Sequence, residues 1–133
     1  MRSHPHKTRA RVTLLFLLAT AACARHSQTG PELDLRPEPI PVHVKNENFA
    51  DMNIFLVVSG VSRRLGNVVG NSSADFTIDG GLALGQTIYL TATPIGGREQ
   101  ATSGGLSVSP GQMIDFTVAS TLRQSVATVH DPR

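Results

Sequence analysis

The chain has 133 residues, with 12 Lys+Arg against 10 Asp+Glu and a formal net charge of +2. Four of the basic residues, Arg2, Lys7, Arg9 and Arg11, precede Cys23; the remaining eight against ten acidic residues leave residues 23–133 at −2. A nucleic-acid reader keeps a basic face in its mature form, and this chain offers none. It has one Cys, so no disulfide framework can form within it, no Trp, and one Tyr. The fold must rest on apolar burial, and any stacking platform for sugars or bases would be poor in aromatics.

Residues 1–11 are basic, and residues 12–22, VTLLFLLATAA, form an apolar run of 11. A membrane-spanning helix needs about 20 such residues, so this run reads as the apolar core of a signal peptide. Thr20, Ala21, Ala22 and Cys23 follow. Small residues before the only Cys resemble the lipobox of bacterial lipoproteins, in which the cysteine thiol is acylated and becomes the first residue. Thr20 stands where that motif usually has Leu or Val. The resemblance implies diacylglycerol and palmitate-type acyl chains on Cys23, and a place in the cell envelope. With Ala24 rather than Asp after the cysteine, it implies the outer membrane, with the domain in the periplasm or at the surface. A plain secretory signal with an incidental Cys23 is the alternative.

Residues 24–41 hold Pro31, Pro37, Pro39 and Pro41 and few apolar side chains. Such a segment favours extended polyproline II and could span roughly 50 Å. It reads as a tether, giving the division 1–22 signal peptide, 23–41 lipidated Cys and linker, and 42–133 folded domain.

From residue 42 onward, short runs rich in β-branched residues alternate with Gly, Asn, Ser and Pro about every ten residues, which predicts an all-β domain. Residues 42–45 alternate, with Val42 and Val44 on one face. Residues 52–59 (MNIFLVVS) are nearly continuous apolar, as in a strand covered on both faces. Ser59-Gly60 turns the chain into a strand over 61–69, and Gly70-Asn71-Ser72 turns it again. Residues 73–79 place Phe76 and Ile78 inward. Asp79-Gly80-Gly81 opens a loop, residues 87–94 put Ile88, Leu90 and Ala92 on one side, and 106–109 form a short strand. Ser109-Pro110-Gly111-Gln112 fits a type II turn. Residues 113–119 point Ile114, Phe116 and Val118 inward, and 125–129 supply an edge strand. The expectation is a single seven- to eight-stranded antiparallel sandwich, immunoglobulin-like or transthyretin-like, because one sheet alone would leave its apolar face in water.

The pattern also resembles a group of small uncharacterised β-sandwich lipoproteins of diderm bacteria. It is carried by Val42, Val44, Asn46 and Asn48, then Ile54 to Val57, Arg64-Leu65-Gly66, Ala92 to Gly96 through Pro94, and Pro110-Gly111-Gln112. These are turn and core residues, so the resemblance implies a fold and not an activity.

Three groups are candidates for a site. Asn46, Glu47, Asn48, Asp51 and Asn53 crowd oxygens in one loop, as Ca²⁺ or a cell-wall ligand requires, though without EF-hand spacing; the competing reading is side chains that cap backbone groups. Arg63 and Arg64 lie mid-strand on opposite faces and suit an anionic partner, or simply guard a strand edge. His26, His43 and His130 show no metal-ligand spacing, and Gly80-Gly81 and Gly104-Gly105 lack the setting of a phosphate loop. The sequence therefore predicts a non-catalytic interaction or structural module without a cofactor or metal, held on the membrane through Cys23 and meeting an envelope protein. A small-ligand or cell-wall binder is the second reading.

Overall fold

A computed structural model describes residues 36–132 of the chain. Cys23 and the signal segment lie outside them. The described part is all-β, with eight strands in two four-stranded sheets: β1 Ile40–Asn46, β2 Met52–Val58, β3 Val61–Val68, β4 Ser72–Ile78, β5 Ile88–Pro94, β6 Ala101–Thr102, β7 Met113–Val118 and β8 Val126–His130. The strand orders are β4-β1-β7-β8 and β3-β2-β5-β6. Alternation decides which side chains enter the core. Ile40, Val42 and Val44 of β1, Ile114, Phe116 and Val118 of β7, Met52, Ile54 and Leu56 of β2, and Ile88, Leu90 and Ala92 of β5 are all buried in one apolar cluster fed by both sheets.

The hairpin at Ser59-Gly60 has φ values of 49° and 79°, the two positive angles of a type I′ turn that matches strand twist. The hydrogen bond from the Gln112 N–H to the Ser109 carbonyl at 3.1 Å, with Gly111 at φ 83°, closes the expected type II turn.

Four details depart from the sequence reading. First, the fold is not wholly antiparallel: β1 and β7 pair in parallel, from Val42↔Ile114 to Asn46↔Val118. A parallel pair needs a long crossover, and here the crossover contains the whole second sheet. Second, β1 starts at Ile40, so the last two residues assigned to the tether are strand. Pro41 is tolerated because it precedes the first β1–β7 pair, where its missing N–H opposes no neighbour on that side. Third, the glycine pair after Asp79 is not open loop but part of a single helical turn, α1, Gly80–Ala83, with the Asp79 carboxylate accepting the Gly81 N–H at 2.9 Å. A Cβ on Gly80 would lie 2.0 Å from the Glu38 carbonyl oxygen, so only glycine lets the entering chain pass. Fourth, the strand expected over 106–109 is reduced to one bridge, Ile88↔Leu106, and the pairing shifts to Ala101–Thr102. Ser103 ends that ladder, because its hydroxyl, in place of a backbone carbonyl, accepts the Leu90 N–H at 2.8 Å.

Register sorts the loops into two ends. β1 and β7 run the same way, and β8 returns antiparallel, so Ile40, Met113 and His130 lie together. The Ser59-Gly60 hairpin, α1 and the turn at 109–112 share this proximal end, where the described chain both enters and leaves. The opposite, distal end carries the β1–β2 loop, the β3–β4 turn, the β5–β6 loop and the β7–β8 connection, which holds a 3₁₀ turn at Leu122–Gln124.

Candidate functional site

The loop rich in Asn and Asp sits at the distal end, and its side chains are turned onto the backbone. Asn46 is 1% exposed. Its amide donates to the carbonyls of Ala50 at 2.9 Å and Val69 at 3.1 Å, and its oxygen accepts the Asn48 N–H at 3.0 Å. Asn48 accepts the Ala50 N–H at 2.9 Å and donates to the Ser120 carbonyl at 2.8 Å. Asp51 accepts the Gly70 N–H at 2.9 Å, while its backbone carbonyl takes the Ile95 N–H at 2.9 Å. Asn53 accepts from the Arg64 guanidinium at 2.8 Å, and Glu47 pairs with Lys45 at 2.8 Å. Of the two readings of this loop, the geometry is that of backbone capping. Asn46, Asn48, Asp51 and Asn53 each already have a side-chain oxygen committed to a donor, whereas a cation site needs such oxygens free and convergent. Among the described residues no group of three or more His, Cys, Asp or Glu is placed to hold a metal ion.

This clamp stitches all four distal connections together. Asn46 joins the β1–β2 loop to the β3–β4 turn, Asn48 reaches the β7–β8 connection, and Asp51 holds both the β3–β4 turn and the β5–β6 loop. The packing beneath is equally tight: a Cβ on Gly70 would lie 2.1 Å from the Phe49 carbonyl oxygen. On this braced frame stand three large apolar side chains in water, Phe49 at 86%, Val69 at 57% and Ile95 at 58% exposure. They come from three different connections at one end. Beside them opens a polar cleft of about 670 Å³ lined by Asn48, Arg98, Glu99, Ser120 and Arg123 among others. The sequence reading missed Phe49, Val69 and Ile95 as a group, because nothing in a linear pattern brings residues 49, 69 and 95 to one place.

Arg63 and Arg64 lie on the edge strand β3, and both are exposed. A bulge leaves Leu65 unpaired, so that Ile54 opposes Gly66 and Phe55 opposes Arg64. The bulge lies beyond both arginines, which ordinary alternation sends to opposite faces as the sequence predicts. Arg64 shares the outer face with Phe55 and bonds Asn53, and Arg63, opposite Leu56, borders a cleft at the proximal end. They do not form one anion site.

On the outer face of the first sheet, register sets Asp75, His43, Asp115 and Thr128 in one row across β4, β1, β7 and β8. The His43 ring bonds Asp75 at 2.6 Å, and His130 bonds Asp115 at 2.7 Å. Neither pair was visible as a spacing: His43 and Asp75 are 32 residues apart. A cleft of about 740 Å³ lined by Met113, Asp115, Thr128, His130 and Asp131 opens beside the second pair, with Thr128 as the hydroxyl residue opposite Asp115.

No protein-family model matches the chain, and no curated protein matches it at a significant level. Among solved structures, the NMR structure of a protein from Eubacterium rectale is 17% identical over 72% of this chain and 92% of that chain, with a TM-score of 0.45. The crystal structure of a Gram-negative toxin is 12% identical over 73% of this chain but only 24% of that chain, with a TM-score of 0.37. Likeness at this level assigns no function.

Proposed function

We propose that the chain is an envelope lipoprotein, acylated at Cys23, whose β domain is a non-catalytic interaction module that binds a protein partner through its distal end. In this reading the two sheets form a sandwich of the immunoglobulin or transthyretin type, and residues 24–39 are the spacer that lifts it from the membrane. The observation that carries the proposal is the set of Phe49, Val69 and Ile95, exposed together on loops braced by Asn46, Asn48 and Asp51. Exposing such side chains on rigid loops lowers stability and solubility unless something covers them, and bracing reduces the ordering cost of binding. The direction of the chain supports the same reading. The described residues enter β1 at the proximal end, so the apolar loops lie at the end of the domain opposite to the point where, in this reading, the spacer joins it. A cation or cell-wall role for Asn46, Asn48, Asp51 and Asn53 has less support, since those side chains are committed to the fold.

The test is a double variant, Phe49→Ser with Ile95→Ser. Both positions are exposed, so the melting temperature should hold or rise slightly. On native gels of gently solubilised membranes the wild-type chain should run in a high-mass band, and the double variant should leave it. A wild-type chain that migrates only as a monomer, or a double variant that keeps the wild-type band, refutes the proposal.

A further inference from the structure

At the proximal end a cleft of about 270 Å³ opens between the β2–β3 hairpin and α1. Leu56, Val58, Val61 and Leu82 wall it, and Arg63, Ser59 and Gln86 supply its polar side chains. Two of those polar groups have donors to spare. Arg64 next door is bonded to Asn53, but among the described residues Arg63 has no hydrogen-bond or ion-pair partner. The Ser59 hydroxyl donates to Gln86 Oε1 at 2.6 Å, which fixes the Gln86 side chain and leaves its Nε2 amide without an acceptor among the described residues. No carboxylate lines the cleft.

From this juxtaposition we infer that the cleft binds a free aliphatic monocarboxylate, its chain against Leu56, Val58, Val61 and Leu82 and its carboxylate on the Arg63 guanidinium. Each part of the ligand answers a part of the site. The only charged group is a cation whose planar fork matches a carboxylate. The walls are apolar, so an inorganic anion would leave them wet. The volume is at the small end of ligand sites, which suits a short chain rather than a long fatty acid or a sugar. The site is independent of the distal surface proposed above and stands or falls apart from it.

The experiment is a titration of the full chain, with methyl-labelled Leu and Val, by octanoate, octanol and octylamine, followed by NMR. The expected result is saturable shifts of the Leu56, Val58, Val61 and Leu82 methyls with octanoate, clearly weaker binding of octanol, and none of octylamine. Arg63→Gln should weaken octanoate at least about tenfold, the usual worth of a charge-assisted bond. Arg64→Gln should leave it unchanged. Val61→Asp, at an exposed position of the wall that the fold does not depend on, should abolish it by placing a rival carboxylate beside Arg63. The inference is overturned if octanoate shifts none of these methyls, if octanol binds as well as octanoate, or if Arg63→Gln and Arg64→Gln behave alike.

Discussion

Asn46→Ala separates a structural loop from a ligand-binding one more sharply than any other single change. The side chain is buried, and its three shortest hydrogen bonds, of 2.9, 3.1 and 3.0 Å, serve the Ala50 carbonyl, the Val69 carbonyl and the Asn48 N–H. Truncation leaves the Ala50 carbonyl and the Asn48 N–H without the Asn46 side chain where water enters poorly, while the Val69 carbonyl keeps the Ser72 hydroxyl at 2.8 Å. An unmade bond of this kind costs about 1–3 kcal/mol, and partial hydration of the loop brings the sum to roughly 2–4 kcal/mol. A small domain is held by about 5–15 kcal/mol, so the variant should lose a large part of its stability. Urea unfolding followed by circular dichroism measures this directly. Asn53→Ala, which gives up only a surface bond to Arg64, should cost about 1 kcal/mol or less. Added Ca²⁺ should move neither midpoint. If Asn46→Ala stays within about 0.5 kcal/mol of wild type, or if Ca²⁺ raises the wild-type midpoint by several degrees, the capping account of the loop is wrong.

Two further outcomes follow from the core and the anchor. Phe116→Ala removes a fully buried ring at the centre of β7 and should cost roughly 3–5 kcal/mol, while Arg63→Ala and Arg64→Ala should stay within about 1 kcal/mol in the same unfolding assay; the reverse order would mean that the strand register is shifted by one residue. Cys23→Ala should abolish incorporation of a fatty-acid analogue and shift the chain out of the membrane fraction, since an apolar run of 11 is too short to span a bilayer; a wild type that takes up no label contradicts lipidation.

How much of the molecule was legible in its sequence depended on how local the cause was. The strands β5 and β7 follow from alternation, and the inward sets Ile88–Leu90–Ala92 and Ile114–Phe116–Val118 are the buried ones; β2 follows from its near-continuous apolar run, although Asn53, Phe55 and Val57 on its outer face are only half-buried rather than covered. The turns at Ser59-Gly60 and Pro110-Gly111 are short-range backbone chemistry, and they too were readable. What escaped were consequences of two distant segments meeting. The parallel β1–β7 pair is set by how the second sheet is inserted between them. The close pass of Glu38 over the helical turn, which only glycine at position 80 allows, joins segments some forty residues apart. Ser103 ends β6 because its hydroxyl reaches a strand thirteen residues away. The candidate sites divide the same way. Asn46, Asn48, Asp51 and Asn53 stood out by composition, yet capping and ligation use the same residue types, and only geometry tells them apart. Phe49, Val69 and Ile95 carry no motif at all, because each is an ordinary apolar residue whose significance lies in being exposed beside the other two.

The central claim is that the domain meets a protein through its distal end. Replacing Phe49, Ile95 or the proximal Val61 in turn with a photo-crosslinking phenylalanine analogue, in living cells of the native host, tests it most directly. The account predicts one discrete adduct, of the same mass from positions 49 and 95 and absent from position 61, and predicts that Val69→Asp in the same chains removes it. Adducts of the same pattern from all three positions, or none from positions 49 and 95 while the chain is folded and in the membrane fraction, would contradict it.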